Sequence, residues 1–348
     1  MLTRNHLNNR PALPELPAAT KKPASIAVES ERLAPEATGF TPSYLALCST
    51  GELRQRAEAA LELLSPCRLC PRRCGVDRLA QGSLETPPAA QGTCRSGRKA
   101  KVSSFGPHFG EERPLVGSHG SGTIFFTNCN LRCLFCQNYD ISHLGHGEEV
   151  SPEQLARIML NLQARGCHNI NLVSPTHFVP QILESLCLAA GEGLWLPLVY
   201  NTGGYDSPEA LALLDGVVDI YMPDAKYWDS AVSRLLSGAE DYPQVMRQAL
   251  KEMGRQVGDL ILDRSGIARR GLLVRHLVMP DGLAGTEGIM NFIAREISPD
   301  TYVNVMAQYR PCYRADEVPQ LRRPISNDEY RRAVEEALQA GIHRLDRM

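Results

Sequence analysis

The sequence predicts an α/β protein, a curved parallel sheet wrapped by helices, preceded by a small cysteine-rich module and a flexible N-terminal tail. From Gly117 onward, short continuous apolar runs alternate with amphipathic segments, the pattern of strands that crossover helices bury on both faces. Ahead of them, Cys67, Cys70, Cys74 and Cys94 stand at C-x2-C-x3-C with a distant fourth, a ligand-like spacing. Residues 1–45 are rich in Pro, Ala, Asn and charge without apolar period, so they bury too little surface to offset the entropy of ordering. The expected organisation is a tail over 1–45, a helix plus four-cysteine metal module over 46–100, and the α/β body over 101–348.

Each element follows from local signals. Ser49 and Glu52 can form a capping box for a first helix, whose Leu53, Ala57, Ala60, Leu61 and Leu64 share one face up to Pro66. In the cysteine module, residues 81–91 carry Gly and adjacent prolines and read as loop. Four soft ligands at this spacing suit either a tetrahedral zinc site or an auxiliary [4Fe-4S] cluster, and the residues leave both open. Strands are predicted over 122–127, 169–173, 196–200, 217–222, 271–278 and 301–306. One helix opens on the capping box of Ser151 and Gln154, buries Leu155, Ile158, Met159 and Leu162, and stops at Gly166. Others are predicted over 178–190, 207–215, 242–257, 286–297 and 326–340. Six such βα units imply right-handed crossovers and fall short of the eight that close a barrel.

Composition excludes several classes. A chain of 348 residues that is 43% hydrophobic can bury a large core, and a net charge of −2 with pI near 6.5 exerts no pull toward nucleic acid or membrane. Arg68, Arg72, Arg73, Arg95 and Arg98 flank the module's cysteines without interleaved aromatics, so a solvated basic surface is expected and nucleic acid is not. Seven of the eleven cysteines fall in two short-spaced groups, the metal pattern of a reducing compartment. With no apolar h-region at the N-terminus and no 18-residue apolar run, no membrane partner is expected and a cytoplasmic location is.

The second cysteine group is Cys129-Asn130-Leu131-Arg132-Cys133-Leu134-Phe135-Cys136, on the loop that leaves the first predicted strand. Three thiols there can hold three corners of a cubane that normally takes four, leaving one iron open to a substrate. In this loop the sequence resembles the radical S-adenosylmethionine (SAM) superfamily, whose motif is C-x3-C-x-Φ-C with Φ aromatic, here Phe135. The resemblance implies a partial (βα)6 barrel, a [4Fe-4S] cluster on Cys129, Cys133 and Cys136, and SAM chelated by the open iron. It further implies reductive cleavage of SAM to a 5′-deoxyadenosyl radical that abstracts hydrogen, with Phe135 by the adenine.

Chemistry in βα barrels collects at the C-terminal strand ends. There stand Ser174-Pro175-Thr176-His177, Asn201-Thr202-Gly203-Gly204-Tyr205 and Pro223-Asp224-Ala225-Lys226, then Arg275-His276 and Gln308-Tyr309-Arg310-Pro311. This set is similar to that of the activating enzymes of glycyl radical enzymes, the pyruvate formate-lyase activating type, over about residues 101–310. The resemblance implies that Asp224 and Lys226 contact the methionine end of SAM as the catalytic pair, and that Asn201, Thr202, Gly203 and Arg275 complete its site. A Lys and an Asp on one loop complement a zwitterion. The family's Gly-Gly-Glu is absent after the second strand, where Ser174, Thr176, His177 or a water must substitute. His276 reads equally as a site residue or a core histidine, Tyr205, Tyr221 and Tyr309 as pocket wall or core, and Cys312 as near the site. The cysteine module makes the chain look like relatives of that activating enzyme that carry such a module at the N-terminus.

The resemblance implies hydrogen abstraction from a protein partner, with activation of a glycyl radical enzyme as the foremost case and flavodoxin or ferredoxin as electron donor. Radical modification of a small molecule or nucleoside is the first alternative. A non-enzymatic iron–sulfur carrier or zinc scaffold is the second, and it has no use for an open three-cysteine site.

Overall fold

Apolar runs flanked by helices pair with whichever neighbouring strand the crossover brings alongside, and here that is always the next run in sequence. A computed structural model describes residues 40–80 and 92–346. Its strands are β1 (Ala100–His108), β2 (Ser121–Phe126), β3 (Glu148–Val150), β4 (Ile170–Val173), β5 (Leu198–Thr202), β6 (Ile220–Pro223), β7 (Ile261–Leu262), β8 (Ala268–Leu277), β9 (Tyr302–Met306) and β10 (Arg344–Leu345). The six predicted runs are β2, β4, β5, β6, β8 and β9, and they pair parallel in that order. The sheet stays open, with β3 and β10 at its edges, so the fold is the expected partial (βα)6 barrel.

Two boundaries moved for local reasons. β5 begins at Leu198, since Pro197 has no N–H to enter the ladder, and it runs on to include Asn201 and Thr202. β6 begins at Ile220, because Val217 and Val218 close the preceding turn and the buried Asp219 carboxylate accepts the N–H groups of Leu198 and Ser43.

The helices are α1 (Tyr44–Thr50), α2 (Glu52–Glu62), α3 (Arg113–Val116), α4 (Tyr139–Ser142), α5 (Pro152–Ala164), α6 (Val179–Gly191), α7 (Pro208–Leu214), α8 (Ser230–Ser237), α9 (Tyr242–Val257), α10 (Thr286–Glu296) and α11 (Asn327–Gln339). The capping boxes of α5 and α11 form through Ser151–Gln154 and Ser326–Glu329. That of Ser49 and Glu52 does not. Ser49 already lies in α1, its hydroxyl donating to the Ala46 carbonyl, and Gly51 at φ +78° breaks the chain into two helices.

The tail's expected boundary also moves. Tyr44 is fully buried and donates to the Leu196 carbonyl, so residues 41–45 belong to the folded body; residues 1–39 and the loop over 81–91 lie outside the described residues. Cys67, Leu64 and Leu69 share one core with the barrel strands and helices, so the four-cysteine segment is not a separate compact unit. The antiparallel β1–β2 and β1–β3 pairs are additions that the sequence reading lacks. Among the described residues, no helix is long and apolar enough to cross a membrane.

Candidate active site

The ends of β2, β4, β5, β6 and β8 surround a cavity of about 150 Å³. Cys129, Cys133, Cys136, Asn201, Thr202, Gly203, Asp224, Lys226 and Arg275 all line it. Ser174, Thr176 and His177, the candidates for the missing Gly-Gly-Glu, line it too.

The thiols leave β2 through Asn128, which takes φ +65°, a conformation Asn tolerates better than most residues. Leu131 N–H donates to Cys129 Sγ (3.4 Å), Cys133 Sγ lies 3.0 Å from the Ser237 hydroxyl, and Cys136 Sγ lies 3.1 Å from that of Ser142. Burial pushes the Cys129 thiol up to about 12 and that of Cys136 to about 11, with Cys133 adding to each. Thiolates there call for a compensating cation, and the hydroxyl and amide neighbours are the kind that tune cluster sulfurs. Among the described residues no three Cys, His, Asp or Glu side chains converge as ligands of a single metal ion. A cubane does not require that, because each thiolate takes a separate iron. The donor set and its placement fit a cubane held by three thiols.

Opposite the thiols lies a charge chain. Asp224 accepts from Lys226 Nζ (2.5 Å) and Arg275 Nε (2.9 Å), and Arg275 donates again to Asn201 Oδ1 (2.7 Å). Burial pushes the Asp224 carboxyl up, but Arg275 and Lys226 outweigh it, so its pKa lies below the ordinary value. Burial likewise pulls Lys226 down, and Asp224 reverses this to leave its pKa raised. Both groups are therefore charged at neutral pH, as contact with a zwitterion requires.

Several supporting residues escape sequence reasoning. Glu111 and Glu112, between β1 and α3, lie 3.7 and 3.9 Å from Arg275. Burial raises Glu111 to about 7, although Arg275 opposes it. Buried Asp206 accepts from Thr176 (2.7 Å), Tyr200 (2.9 Å) and Thr202 (2.7 Å), holding two cavity-lining hydroxyls in place. The available signals were faint: a lone acid after the Gly-Gly turn, and an acidic pair beside a weak strand.

Gly204 has φ +75°, and a Cβ there would stand 2.3 Å from the Asp224 carbonyl oxygen. Gly204→Ala is expected to destabilise the fold by about 2–4 kcal/mol, since backbone strain and a backbone clash combine. Urea denaturation checks this, and an unchanged midpoint would show the clash relieved at no cost.

Other predicted residues lie elsewhere. Phe135 does not line the cavity; its buried ring packs edge-on to Tyr227 and Tyr309 at 6.5 and 5.9 Å, where apolar contact outweighs exposure to a ligand. His276 is a core histidine, Nδ1–H donating to the Ala225 carbonyl and Nε2 accepting from Thr286, with burial pulling it down to about 4. Tyr205, Tyr221 and Tyr309 hydrogen-bond to Asp241, Gln256 and the Leu321 carbonyl, and none lines the cavity. Cys312 is outside it as well. Cys67, Cys70, Cys74 and Cys94 are free thiols that form a second set away from the cavity. Burial raises Cys70 to about 12, with Cys94, Cys67 and Cys74 adding to the rise.

Residues 123–262 match the family model described as the Radical SAM superfamily. The chain is 33% identical over 290 residues to uncharacterized protein MJ0674 of Methanocaldococcus jannaschii, covering 80% of this chain and 76% of that one. It is 24% identical over 287 residues to uncharacterized protein MJ0808 of the same organism, covering 78% of each. Among solved structures, it resembles Streptococcus suis SuiB bound to precursor peptide SuiA (13% identity, TM-score 0.42), covering 61% of this chain and 44% of that one. It also resembles a radical SAM methyltransferase from Sphaerobacter thermophilus (14% identity, TM-score 0.42), covering 64% of each. The chain thus spans less than two thirds of either solved chain.

Proposed function

Because the chain belongs to the radical SAM superfamily, we propose that it takes hydrogen from a protein partner, as an activating enzyme of the pyruvate formate-lyase type does for a glycyl radical enzyme. The observation that carries the reading is the single cavity joining the three thiols to Asp224, Lys226, Arg275 and Asn201. Cys129, Cys133 and Cys136 would hold a [4Fe-4S] cluster, which would supply the electron for reductive cleavage of SAM to a 5′-deoxyadenosyl radical. With SAM bound, Lys226 would meet the methionine carboxylate and Asp224 its ammonium, while Arg275, itself held by Asn201, fixes the Asp224 carboxylate. Asp206 holds Thr202, whose hydroxyl accepts the Gly204 N–H (3.3 Å) and keeps the loop against the cavity.

A protein partner is supported by the aromatic surface beside the cavity. Asn138, Ile141 and Ser142 line it, and on the same turn exposed Tyr139 stacks on exposed Tyr313 at 5.1 Å. Arg95, Lys99 and Lys101 line a groove with Asn128, just ahead of Cys129; Glu149 offsets Lys99 there, and the remaining positive charge suits an acidic electron donor such as flavodoxin or ferredoxin. The four-cysteine set is read as a further metal site, and a reducing cytoplasm as the setting both thiol groups require.

The test is anaerobic reconstitution with iron and sulfide, reduction in the presence of SAM, and chromatography for 5′-deoxyadenosine. Product is expected from the wild type and not from Cys129→Ala/Cys133→Ala/Cys136→Ala. If the wild type assembles a cluster yet neither binds nor cleaves SAM, the assignment of this cavity is wrong. A glycyl radical in an added partner, seen by electron paramagnetic resonance (EPR), decides the finer reading.

A further inference from the structure

The three sulfurs of the thiol loop are served unequally by their neighbours. Cys129 has the Leu131 N–H (3.4 Å), and Cys136 has the Asn138 N–H and the Ser142 hydroxyl (3.1 Å). That hydroxyl carries one proton, and it goes to the Asn138 carbonyl at 2.6 Å. The Ser237 hydroxyl stands 3.0 Å from Cys133 Sγ and is committed to no carbonyl; among the described residues its other hydrogen-bond contact is the Tyr227 hydroxyl, at 2.7 Å.

Proton counting sets the direction of this relay. A Cys133 that ligates iron is a thiolate with no proton to give, so the Ser237 O–H must point at the sulfur. The Ser237 oxygen is then an acceptor toward Tyr227, whose phenol is protonated at neutral pH and donates. The order is Tyr227 O–H to Ser237 Oγ, then Ser237 O–H to Cys133 Sγ. Successive hydrogen bonds polarise one another, so the phenol strengthens the bond that the serine makes to the sulfur.

Both hydroxyls are held in place. Tyr227 and Ser237 are fully buried, which keeps water from competing for them. Helix α8 ends on Ser237, and its last carbonyls clasp the thiol loop on either side of Cys133: Ser237 accepts the Arg132 N–H (3.1 Å) and Leu236 the Leu134 N–H (2.9 Å). Arg72 donates to the same Ser237 carbonyl (3.3 Å) and to that of Asn130 (2.8 Å). The Tyr227 ring is fixed edge-on to Phe135 and Tyr242 at 6.5 and 5.4 Å. Tyr227 also follows Lys226 directly, so the loop that carries the SAM-facing pair carries the first donor of the relay.

Hydrogen bonds to the sulfurs of a cluster favour its more negative, reduced state and so raise its potential. We propose that Tyr227, acting through Ser237, is a positioning residue that raises the reduction potential of the cluster on the three-thiol loop and so eases entry of the electron that cleaves SAM. This rests on the reading of the cavity as a cluster site.

The test is an anaerobic redox titration of the reconstituted full chain, following by EPR the signal that Cys129→Ala/Cys133→Ala/Cys136→Ala lacks. At a fixed poise, Ser237→Ala is expected to lower the ratio of reduced to oxidised cluster about tenfold, a drop of about 59 mV for one electron. Tyr227→Phe keeps the ring packing and loses one oxygen, and is expected to lower the ratio about threefold, since the serine's bond survives unpolarised. In the double variant, Tyr227→Phe is expected to add nothing to Ser237→Ala. A potential unmoved by Tyr227→Phe overturns the proposal, and so do shifts that add, because the phenol then acts without the serine. Tyr227→Phe carries the test alone should Ser237→Ala not fold. If the wild type shows no signal beyond that of the triple variant, the reading of the cavity fails and this proposal with it; a signal whose potential the variants leave in place overturns the proposal alone.

Discussion

Asp224→Ala is expected to weaken SAM binding on the order of 10²-fold, about 3 kcal/mol, and to lower 5′-deoxyadenosine formation at least as much. Two effects add. The ammonium of SAM loses its carboxylate, and Lys226 and Arg275 lose the group both donate to. Arg275 retains Asn201, Glu111 and Glu112. Among the described residues, Asp224 is the one carboxylate within salt-bridge distance of Lys226. Since burial pulls Lys226 down and Asp224 is the group that reverses it, the variant's lysine titrates lower. SAM binding by the variant should therefore weaken as pH rises through that lowered value, while the wild type stays flat. Equilibrium binding to the reconstituted protein across pH checks this, and a change below about threefold would remove Asp224 from the binding site.

Arg275→Met is expected to destabilise the fold by about 3–5 kcal/mol at pH 8, because it strands Asp224, Glu111 and Glu112 together in the barrel with Lys226 as the near cation. The loss should shrink on acidification. Glu111 already has its folded pKa raised to about 7, by burial first and against the pull of Arg275, while an unfolded Glu titrates near 4.5. A carboxyl with a raised folded pKa contributes stability that is present below its unfolded value and lost as pH rises through its folded value. Removing Arg275 raises the folded value further, so the variant's deficit should be larger at pH 8 than at pH 5.5. Urea titrations at the two pH values measure it, and a deficit independent of pH would show that Glu111 does not titrate against Arg275.

The parts of the site legible in the sequence are those in which chemistry sits directly beyond a continuous apolar run. Cys129 to Cys136 follow β2, Asp224 and Lys226 follow β6, and Asn201, Thr202 and Gly203 stand at the end of β5. A strand buried on both faces announces itself by composition alone, and its end tells where the loop begins. β1 is different: its burial is partial and irregular and it carries Lys, Ser and Pro, so no apolar period marks it. Missing β1 meant missing Glu111 and Glu112, which follow it. Phe135 shows the opposite limit. Its place in the motif is plain, but which way its ring turns depends on Tyr227 and Tyr309, far along the chain.

The sequence by itself determined the order of βα units, the three-thiol loop and the carboxylate–ammonium pair, because spacing and period act between near neighbours along the chain. Only the tertiary structure decided what balances those charges and what holds the loop still. Arg275 meets Glu111 and Asp224, and Arg72 meets Asn130 and Ser237, through contacts between distant segments. Such contacts exist only once the strands have paired, since hydrogen bonds and contact ion pairs require the partners within about 3–4 Å and leave no periodic trace in the chain.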